Sequence, residues 1–125
     1  MQTNYILIDF ENVHVKSLAL LKDRQAQVKV FLGPKNTKIP VELVLAMQGL
    51  GEWGDYIMLE VSGHNALDFH IAYYLGKLVA EHPDGHFHII SKDTGFDSLL
   101  RHLQRKGTLC TRSPSIEMML GVDSV

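Results

Sequence analysis

The chain of 125 residues is long enough for one domain, and its 46% hydrophobic and 21% charged residues are typical of a globular protein rather than a disordered one. No apolar run reaches the roughly 20 residues that span a bilayer, and the N-terminal sequence lacks the basic segment of a signal peptide. The single cysteine, Cys110, excludes an internal disulfide and a cysteine-rich zinc site. We therefore expect a cytoplasmic domain.

Short apolar runs alternate with helical segments along the chain, and glycine, proline and polar residues separate them. The predicted strands cover residues 5–8, 28–32, 56–61, 87–91 and 108–111. The predicted helices cover residues 15–22, 40–48, 65–81 and 94–106. This order predicts one α/β domain over residues 1–112, with three α/β/α layers and a mainly parallel five-stranded sheet. Residues 113–125 have no clear period, and we expect a tail or the start of a further region.

Two aspartates directly follow predicted strands, at the edge where an open parallel sheet binds its ligands. Asp9 ends the first strand, and Asp93 follows the fourth. If these strands are neighbours, the two carboxylates lie close together and repel each other unless a cation joins them or one takes up a proton. Each aspartate taken alone also suits an ordinary turn, because turns favour this residue.

Asp68 lies in the first turn of the longest predicted helix, on its apolar face. The residues that share this face are Ala72, Leu75 and Val79. The carboxylate of Asp68 is therefore expected to point toward the sheet. The alternative is a capping arrangement in which Asn65 is the N-cap and Asp68 favours the helix dipole.

Asp97 follows Asp93 by four residues across a strand-to-helix turn, a spacing at which one segment can present two carboxylates to one cavity. The alternative is a capping box with Thr94. Four acids from three places at one sheet edge are not well explained by caps alone, and such hard oxygen ligands suit Mg²⁺ or Mn²⁺ rather than zinc. The residues predicted to bind metal and to act in catalysis are Asp9, Asp68, Asp93 and Asp97.

Basic residues near this edge are candidates for contact with an anionic substrate. The chain carries 12 basic and 14 acidic side chains, so setting the four site acids aside leaves 10 acidic ones, and the remaining surface is mildly basic. Lys35 and Lys38 lie in the loop after the second strand, and Lys92 precedes Asp93; each also suits a solvated surface. The predicted substrate-binding residues are Asn12, Lys35, Lys38 and Lys92.

Three further polar residues near the same edge have alternative roles. Glu11 would share the side of Asp9 if the chain stays extended, and would otherwise be a solvent-facing loop acid. Asn12 would orient Asp9, cap the next helix, or do both. His64 precedes the long helix and is a candidate for substrate contact, although a structural or exposed histidine is the more common case.

Three acidic segments together resemble the PIN-like nucleases, close to their NYN branch. They are Ile6-Leu7-Ile8-Asp9-Phe10-Glu11-Asn12, Asn65-Ala66-Leu67-Asp68-Phe69 and Ser91-Lys92-Asp93-Thr94-Gly95-Phe96-Asp97. The resemblance covers residues 4–112 and implies a compact α/β sheet, adjacent first and fourth strands, and an acidic Mg²⁺ or Mn²⁺ pocket. The sequence departs from the NYN pattern at Gly95, where a second aspartate often stands, and we expect Asp97 to replace it.

The resemblance implies a metal-dependent ribonuclease that hydrolyses phosphodiester bonds of single-stranded RNA without a nucleophilic side chain. One alternative is a catalytically degenerate module that binds RNA or is regulated by a partner. Another is a phosphatase of the haloacid dehalogenase type with Asp9 as nucleophile, although Glu11 stands where that class has a second aspartate. The expected partners are RNA and either a second copy in a homodimer or a fused or separate partner domain, without a membrane.

Overall fold

The computed structural model describes residues 2–15, 17–60, 63 and 65–121. The strands are β1 (Asn4–Asp9), β2 (Ala26–Leu32), β3 (Gly54–Met58), β4 (His86–Ile90) and β5 (Leu109–Ser113). The α-helices are α1 (Val41–Leu50), α2 (Ala66–Glu81), α3 (Asp97–Arg105) and α4 (Ile116–Leu120). Short 3₁₀ turns cover Leu18–Leu21, Gly51–Trp53 and Thr94–Phe96. Within the described ranges, no helix is both long and apolar enough to cross a lipid bilayer.

The five strands form one all-parallel sheet in the order β3-β2-β1-β4-β5. From the central strand β1 the chain builds outward through β2 and β3, and then returns to the other side of β1 to add β4 and β5. The order therefore reverses between β1 and β4, where open α/β sheets bind their ligands at the carboxyl edge. The predicted three-layer fold with a parallel five-stranded sheet is confirmed.

Strand β1 sends alternate side chains into two separate hydrophobic cores. Ile6 and Ile8 pack in one core with residues of α1 and α4, whereas Tyr5 and Leu7 pack in the other with residues of α2 and α3. All four side chains are buried. Burial on both faces explains why this strand is continuously apolar rather than alternating.

The segment predicted as a helix over residues 15–22 contains a single 3₁₀ turn, Leu18–Leu21, and residue 16 of that segment lies outside the described residues. Leu18 and Leu21 are both buried in the core that contains Ile6. Their spacing of three residues matches the period of a 3₁₀ turn, so one short turn is enough to bury both side chains.

The third strand lies earlier in the chain than the predicted range of residues 56–61. Strand β3 pairs with β2 from Gly54 to Met58, and Met58 stands opposite Leu32, the last residue of β2. The chain turns away at Gly33 and Pro34, so no partner strand continues beyond that point. Residue 61 of the predicted range lies outside the described residues.

Residues 113–121 contain ordered elements where the sequence predicted none. Strand β5 extends to Ser113, and the hydroxyl of Ser115 accepts a hydrogen bond of 3.1 Å from the Met118 backbone N–H at the start of α4. Ile116 is buried in the same core as Ile6. The segment up to residue 121 therefore packs on the sheet, while the domain limit at residue 112 stays a prediction.

Candidate metal centre

The carboxyl ends of β1 and β4 bring two of the predicted site residues to one edge of the sheet. Asp9 is the last residue of β1, and Asp93 lies shortly after β4, which ends at Ile90. Ile8 and Ile90 are partners in the parallel pair. These two strands are therefore neighbours, as the metal prediction required. Both aspartates lie at the carboxyl ends of this strand pair, at the switch point.

Asp9 is completely buried, and its two carboxylate oxygens have different surroundings. Oδ2 accepts hydrogen bonds from Asn12 Nδ2 at 2.6 Å and from the Ser91 hydroxyl at 2.8 Å. Oδ1 has no hydrogen-bond partner among the described residues. Because an unpartnered buried carboxylate oxygen is costly, Oδ1 is suited to a cation that would bind it. Asn12 therefore orients Asp9, one of the two roles that the sequence left open.

Asp68 stands in the first turn of α2 and faces the other acids of the site. Burial is the largest cause that raises the pKa of Asp68 from 3.8 to about 6. The next causes are a hydrogen bond and charge repulsion from Asp93, followed by the charges of Asp9 and Glu11. Asp68 is therefore close enough to two aspartates, from β1 and from the segment after β4, and to one glutamate for their charges to act on it.

The capping alternative for Asp68 differs from what the structure shows. Asn65 has a left-handed backbone with φ of 60°, and its side chain makes no capping hydrogen bond. Asp68 therefore does not form a capping box with Asn65. Its position in the first turn still favours the helix dipole, so the carboxylate is compatible with the N-terminus of α2 while it faces Asp93.

Glu11 belongs to this acidic group, although the site residues predicted from the sequence leave it out. Its side chain is exposed, yet its charge contributes to the raised pKa of Asp68. The Glu11 carboxylate lies directly over Gly33, where a Cβ atom would collide with it. The missing side chain at Gly33 gives Glu11 room to lie at the site, and a glycine directly after β2 was the sequence signal for this contact.

Asp93 combines a place in the acidic group with a local capping role. Its Oδ1 accepts a hydrogen bond of 2.8 Å from the Gly95 backbone N–H, so Asp93 and not Thr94 caps the turn that leads into α3. The backbone N–H of Asp93 donates to the Ser91 hydroxyl at 3.0 Å. Ser91 was not among the predicted site residues, and it links the segment that carries Asp93 to the carboxylate of Asp9.

Asp97 is paired with an arginine, and it is not among the charges that raise the pKa of Asp68. Both of its oxygens accept hydrogen bonds from Arg112 in β5, at 2.7 and 3.3 Å. This hydrogen bonding is the largest cause that lowers the pKa of Asp97, and the charges of Arg112 and Arg101 act in the same direction. Arg112 also donates to the Ser91 carbonyl at 3.0 Å. Asp97 is thus an ion-pair partner of β5, and its part in metal binding stays a prediction.

The three lysines predicted to bind substrate are all exposed, whereas Asn12, also predicted to bind it, donates its side-chain hydrogen bond to Asp9. Lys35 and Lys38 are exposed in the connection between β2 and α1, which begins at the same sheet edge as the aspartates. Lys92 is exposed between Ser91 and Asp93. His64 lies outside the described residues.

The chemistry of the site fits a hard divalent cation, but the side chains are not arranged as a finished ligand shell. Among the described residues, no three histidine, cysteine, aspartate or glutamate side chains stand close enough together to hold one ion. The donors that face one another are all carboxylates, which prefer Mg²⁺ or Mn²⁺. Two observations favour a cation there. Oδ1 of buried Asp9 accepts no hydrogen bond from the part of the chain that the structure describes, and the carboxylates around Asp68 repel one another.

An all-parallel α/β domain with carboxylates at its switch point defines the class of this protein. A sequence model of the PIN domain matches residues 3–113, and the chain belongs to the PIN domain family. Domains of this family are generally metal-dependent nucleases that act on RNA. Comparison with the curated proteins gives no significant match.

Proposed function

We propose that this protein is an Mg²⁺- or Mn²⁺-dependent endoribonuclease of the NYN branch that cleaves single-stranded RNA. The observation that carries the proposal is the carboxylate of Asp9. It is completely buried beside other acids, one oxygen is held by two donors, and the other has no partner among the described residues. A carboxylate in this position is better explained by binding of a cation than by a contribution to stability, because a buried charge without compensation destabilises the folded state.

Asp9, Asp68 and Asp93 are the residues that we expect to hold the ion. A bound divalent cation lowers the pKa of water and stabilises negative charge on a phosphate, which is the chemistry of phosphodiester hydrolysis. Asn12 and Ser91 keep Asp9 in one orientation through their hydrogen bonds to Oδ2. Because the pKa of Asp68 is raised to about 6, its carboxyl is protonated below that pH in the metal-free protein, and metal binding then requires the proton to leave.

Three exposed lysines that were predicted to bind substrate support contact with the phosphates of RNA. Lys35 and Lys38 lie in the segment that follows β2, and Lys92 lies in the segment that follows β4, so all three come after strands that end at the carboxyl edge. Lysine side chains neutralise phosphate charge without reading the sequence of bases. An RNA single strand can present one phosphate to a recessed carboxylate site more readily than a stiff duplex can.

Cleavage of a circular single-stranded RNA tests this proposal and separates internal cleavage from exonuclease action. The wild type should linearise the circle in Mn²⁺ and not in EDTA. Asp9→Asn and Asp93→Asn should abolish the reaction, because each removes a ligand charge with little change in size. Asp84→Asn is the matched control, since Asp84 is exposed and lies before β4 at the opposite edge of the sheet. Equal cleavage by all four proteins would show that the assigned residues do not form the active site.

A second candidate function is RNA binding without cleavage, and one observation favours it. Gly95 stands where the NYN pattern often has an aspartate, and the nearby Asp97 is paired with Arg112. The site then has one acid fewer than expected, which would weaken metal binding. If purified wild-type protein binds the circular RNA but leaves it intact in both Mg²⁺ and Mn²⁺, this second function is supported and the nuclease proposal fails.

A further inference from the structure

A hollow of about 400 Å³ lies beside the acidic group, and two aspartates of that group line it. Asp68 and Asp93 form one side of it, and Phe69, Ala72, Phe96 and Leu99 supply its apolar lining. The hollow lies between α2, the turn before α3 and α3 itself. A ligand in it would therefore contact apolar surface at one end and the proposed metal residues at the other.

Phe69 is the feature of this hollow that packing of the domain does not explain. Its side chain is 71% exposed, whereas its neighbours Leu67 and Ile71 on α2 are buried in the core. Phe69 directly follows Asp68 in the chain, so the exposed ring and the proposed metal ligand are presented by the same helical turn. Phe96, by contrast, is buried and forms part of the fixed floor.

The lining restricts the chemistry of the ligand that would enter. The carboxylates of Asp68 and Asp93 disfavour an anionic group in the hollow itself, and the aromatic and aliphatic walls favour a flat, uncharged group. The same ligand must place a phosphate at the carboxylate group if the proposed function holds. A nucleobase joined through its ribose to a phosphate combines both properties.

We propose that the hollow binds one unpaired nucleobase of the RNA, stacked on Phe69, next to the phosphate that lies at the acidic group. This proposal rests on the proposed nuclease function and names how that site selects its substrate. Stacking on an aromatic ring tolerates every base, because each base has a π-face. A base in a duplex already has both faces covered by its neighbours. Phe69 therefore selects unpaired RNA over paired RNA and does not select a base sequence.

The test measures RNA binding separately from cleavage. Binding is measured in Mn²⁺ with the Asp9→Asn variant, whose substitution lies outside the lining of the hollow. It is measured a second time in EDTA with the protein that has Asp9. The probes are a fluorescent uridine octamer, an octamer of the same backbone without bases, and the octamer paired with adenosines. Fluorescence anisotropy gives the Kd of each.

Phe69→Leu should weaken binding of the uridine octamer roughly tenfold, as expected for the loss of one aromatic stacking contact. Phe69→Trp should restore it, because indole also stacks. The octamer without bases and the duplex should bind weakly and equally to all variants. Tyr73→Leu is the matched control, since Tyr73 is an exposed aromatic one turn further along α2 that does not line the hollow. It should leave every Kd unchanged.

Three outcomes would overturn the proposal. The first is an unchanged Kd for Phe69→Leu, and the second is an equal loss for Tyr73→Leu, which would indicate a general aromatic surface. The third is conversion of a dimer to a monomer by Phe69→Leu with RNA binding unchanged, which would make the ring a subunit contact. Failure of the nuclease proposal is distinguishable. Base-dependent binding through Phe69 without cleavage by the wild type retains the hollow as a base site, and cleavage without that dependence rejects the hollow alone.

Discussion

Asp9 owes its orientation to two residues that the sequence reveals unequally. Asn12 stands three positions later in the same short segment, so its role beside Asp9 could be proposed from the sequence alone. Ser91 is 82 positions away and reaches Asp9 only because β1 and β4 are neighbours. Hydrogen bonds across a sheet depend on strand order, and no local pattern of residues encodes them.

Ser91→Ala is expected to destabilise the protein by about 1–3 kcal/mol, the range for removing one partner of a buried polar group. The Ser91 hydroxyl donates to Asp9 and accepts from the backbone of Asp93, so its loss leaves both groups with one hydrogen bond fewer. Urea unfolding of the metal-free protein measures the change. Ser98→Ala, at an exposed position of α3, is the matched control and should change stability little. Equal midpoints for the two variants would contradict the role given to Ser91.

Asp68→Asn is expected to stabilise the metal-free protein near neutral pH and to leave stability unchanged near its acid limit. The pKa of Asp68 is raised from 3.8 to about 6 in the folded protein, so folding takes up a proton between these two values. The associated stability is fully present below the lower value and is lost as the pH rises through the higher one. Asparagine stays neutral, so the variant keeps the stability that the wild type loses.

Urea unfolding in EDTA at about pH 4 and about pH 7.5 checks this expectation. Asp84→Asn, an exposed substitution of the same kind, controls for the loss of one negative charge. The contribution of His88 to stability changes with pH in the opposite direction. Burial and then the His86 charge lower the pKa of His88 from 6.5 to about 4, so the stability that it contributes is lost as the pH falls through that window. Wild-type curves therefore contain opposing contributions, and only the difference between variant and wild type isolates Asp68. A constant difference at both pH values would refute the assignment.

At the scale of elements, α3 is joined to β5 by a contact that the sequence did not predict. The predicted range of residues 94–106 contains the observed 3₁₀ turn and α3, and both alternatives for Asp97 followed from its place near the start of that range. Its actual partner is Arg112, 15 positions away on the next strand. The pattern located the helix correctly but could not choose among partners for one carboxylate, because that choice depends on how α3 packs beside β5.

Asp97→Asn is expected to lower stability and to leave the response to metal unchanged. The substitution weakens the paired hydrogen bonds to Arg112, while Asp9, Asp68 and Asp93 keep their carboxylates. Thermal unfolding with and without Mn²⁺ gives both quantities in one experiment. Asp93→Asn serves as the comparison, since it should lose most of the Mn²⁺-induced rise in melting temperature. A loss of the Mn²⁺ response in Asp97→Asn, with stability unchanged, would show that Asp97 binds the metal, as the sequence predicts, and exclude a purely structural role.

At the scale of the whole molecule, the parallel sheet follows from patterns that are spread over most of the chain, whereas the adjacency of β1 and β4 was implied by the family resemblance. Five apolar runs with helical segments between them predict a parallel sheet, because a helix that connects two strands carries the chain back across the sheet and does not form a hairpin. The ends of β3 and the existence of α4 depend instead on where β2 stops and on the burial of Ile116, which are properties of the assembled core. The site follows the same division. Residues at strand ends were predicted, whereas Ser91 and Arg112 required the folded sheet.

A divalent cation is expected to stabilise the whole domain, and more strongly at about pH 7.5 than at about pH 5. A ligand that binds only the folded state adds about 2.7 kcal/mol at a concentration a hundred times its Kd. The carboxylates around Asp68 repel one another in the metal-free protein, so an ion among them relieves that repulsion. The ion also binds Oδ1 of Asp9, which accepts no hydrogen bond from any described residue. Below the pKa of about 6 a proton occupies Asp68, and the ion must displace it. Melting temperatures are measured across a Mn²⁺ titration at both pH values, with KCl of equal ionic strength as the control for screening. A rise that KCl reproduces, or one that is the same at both pH values, would show that Mn²⁺ does not bind at these carboxylates.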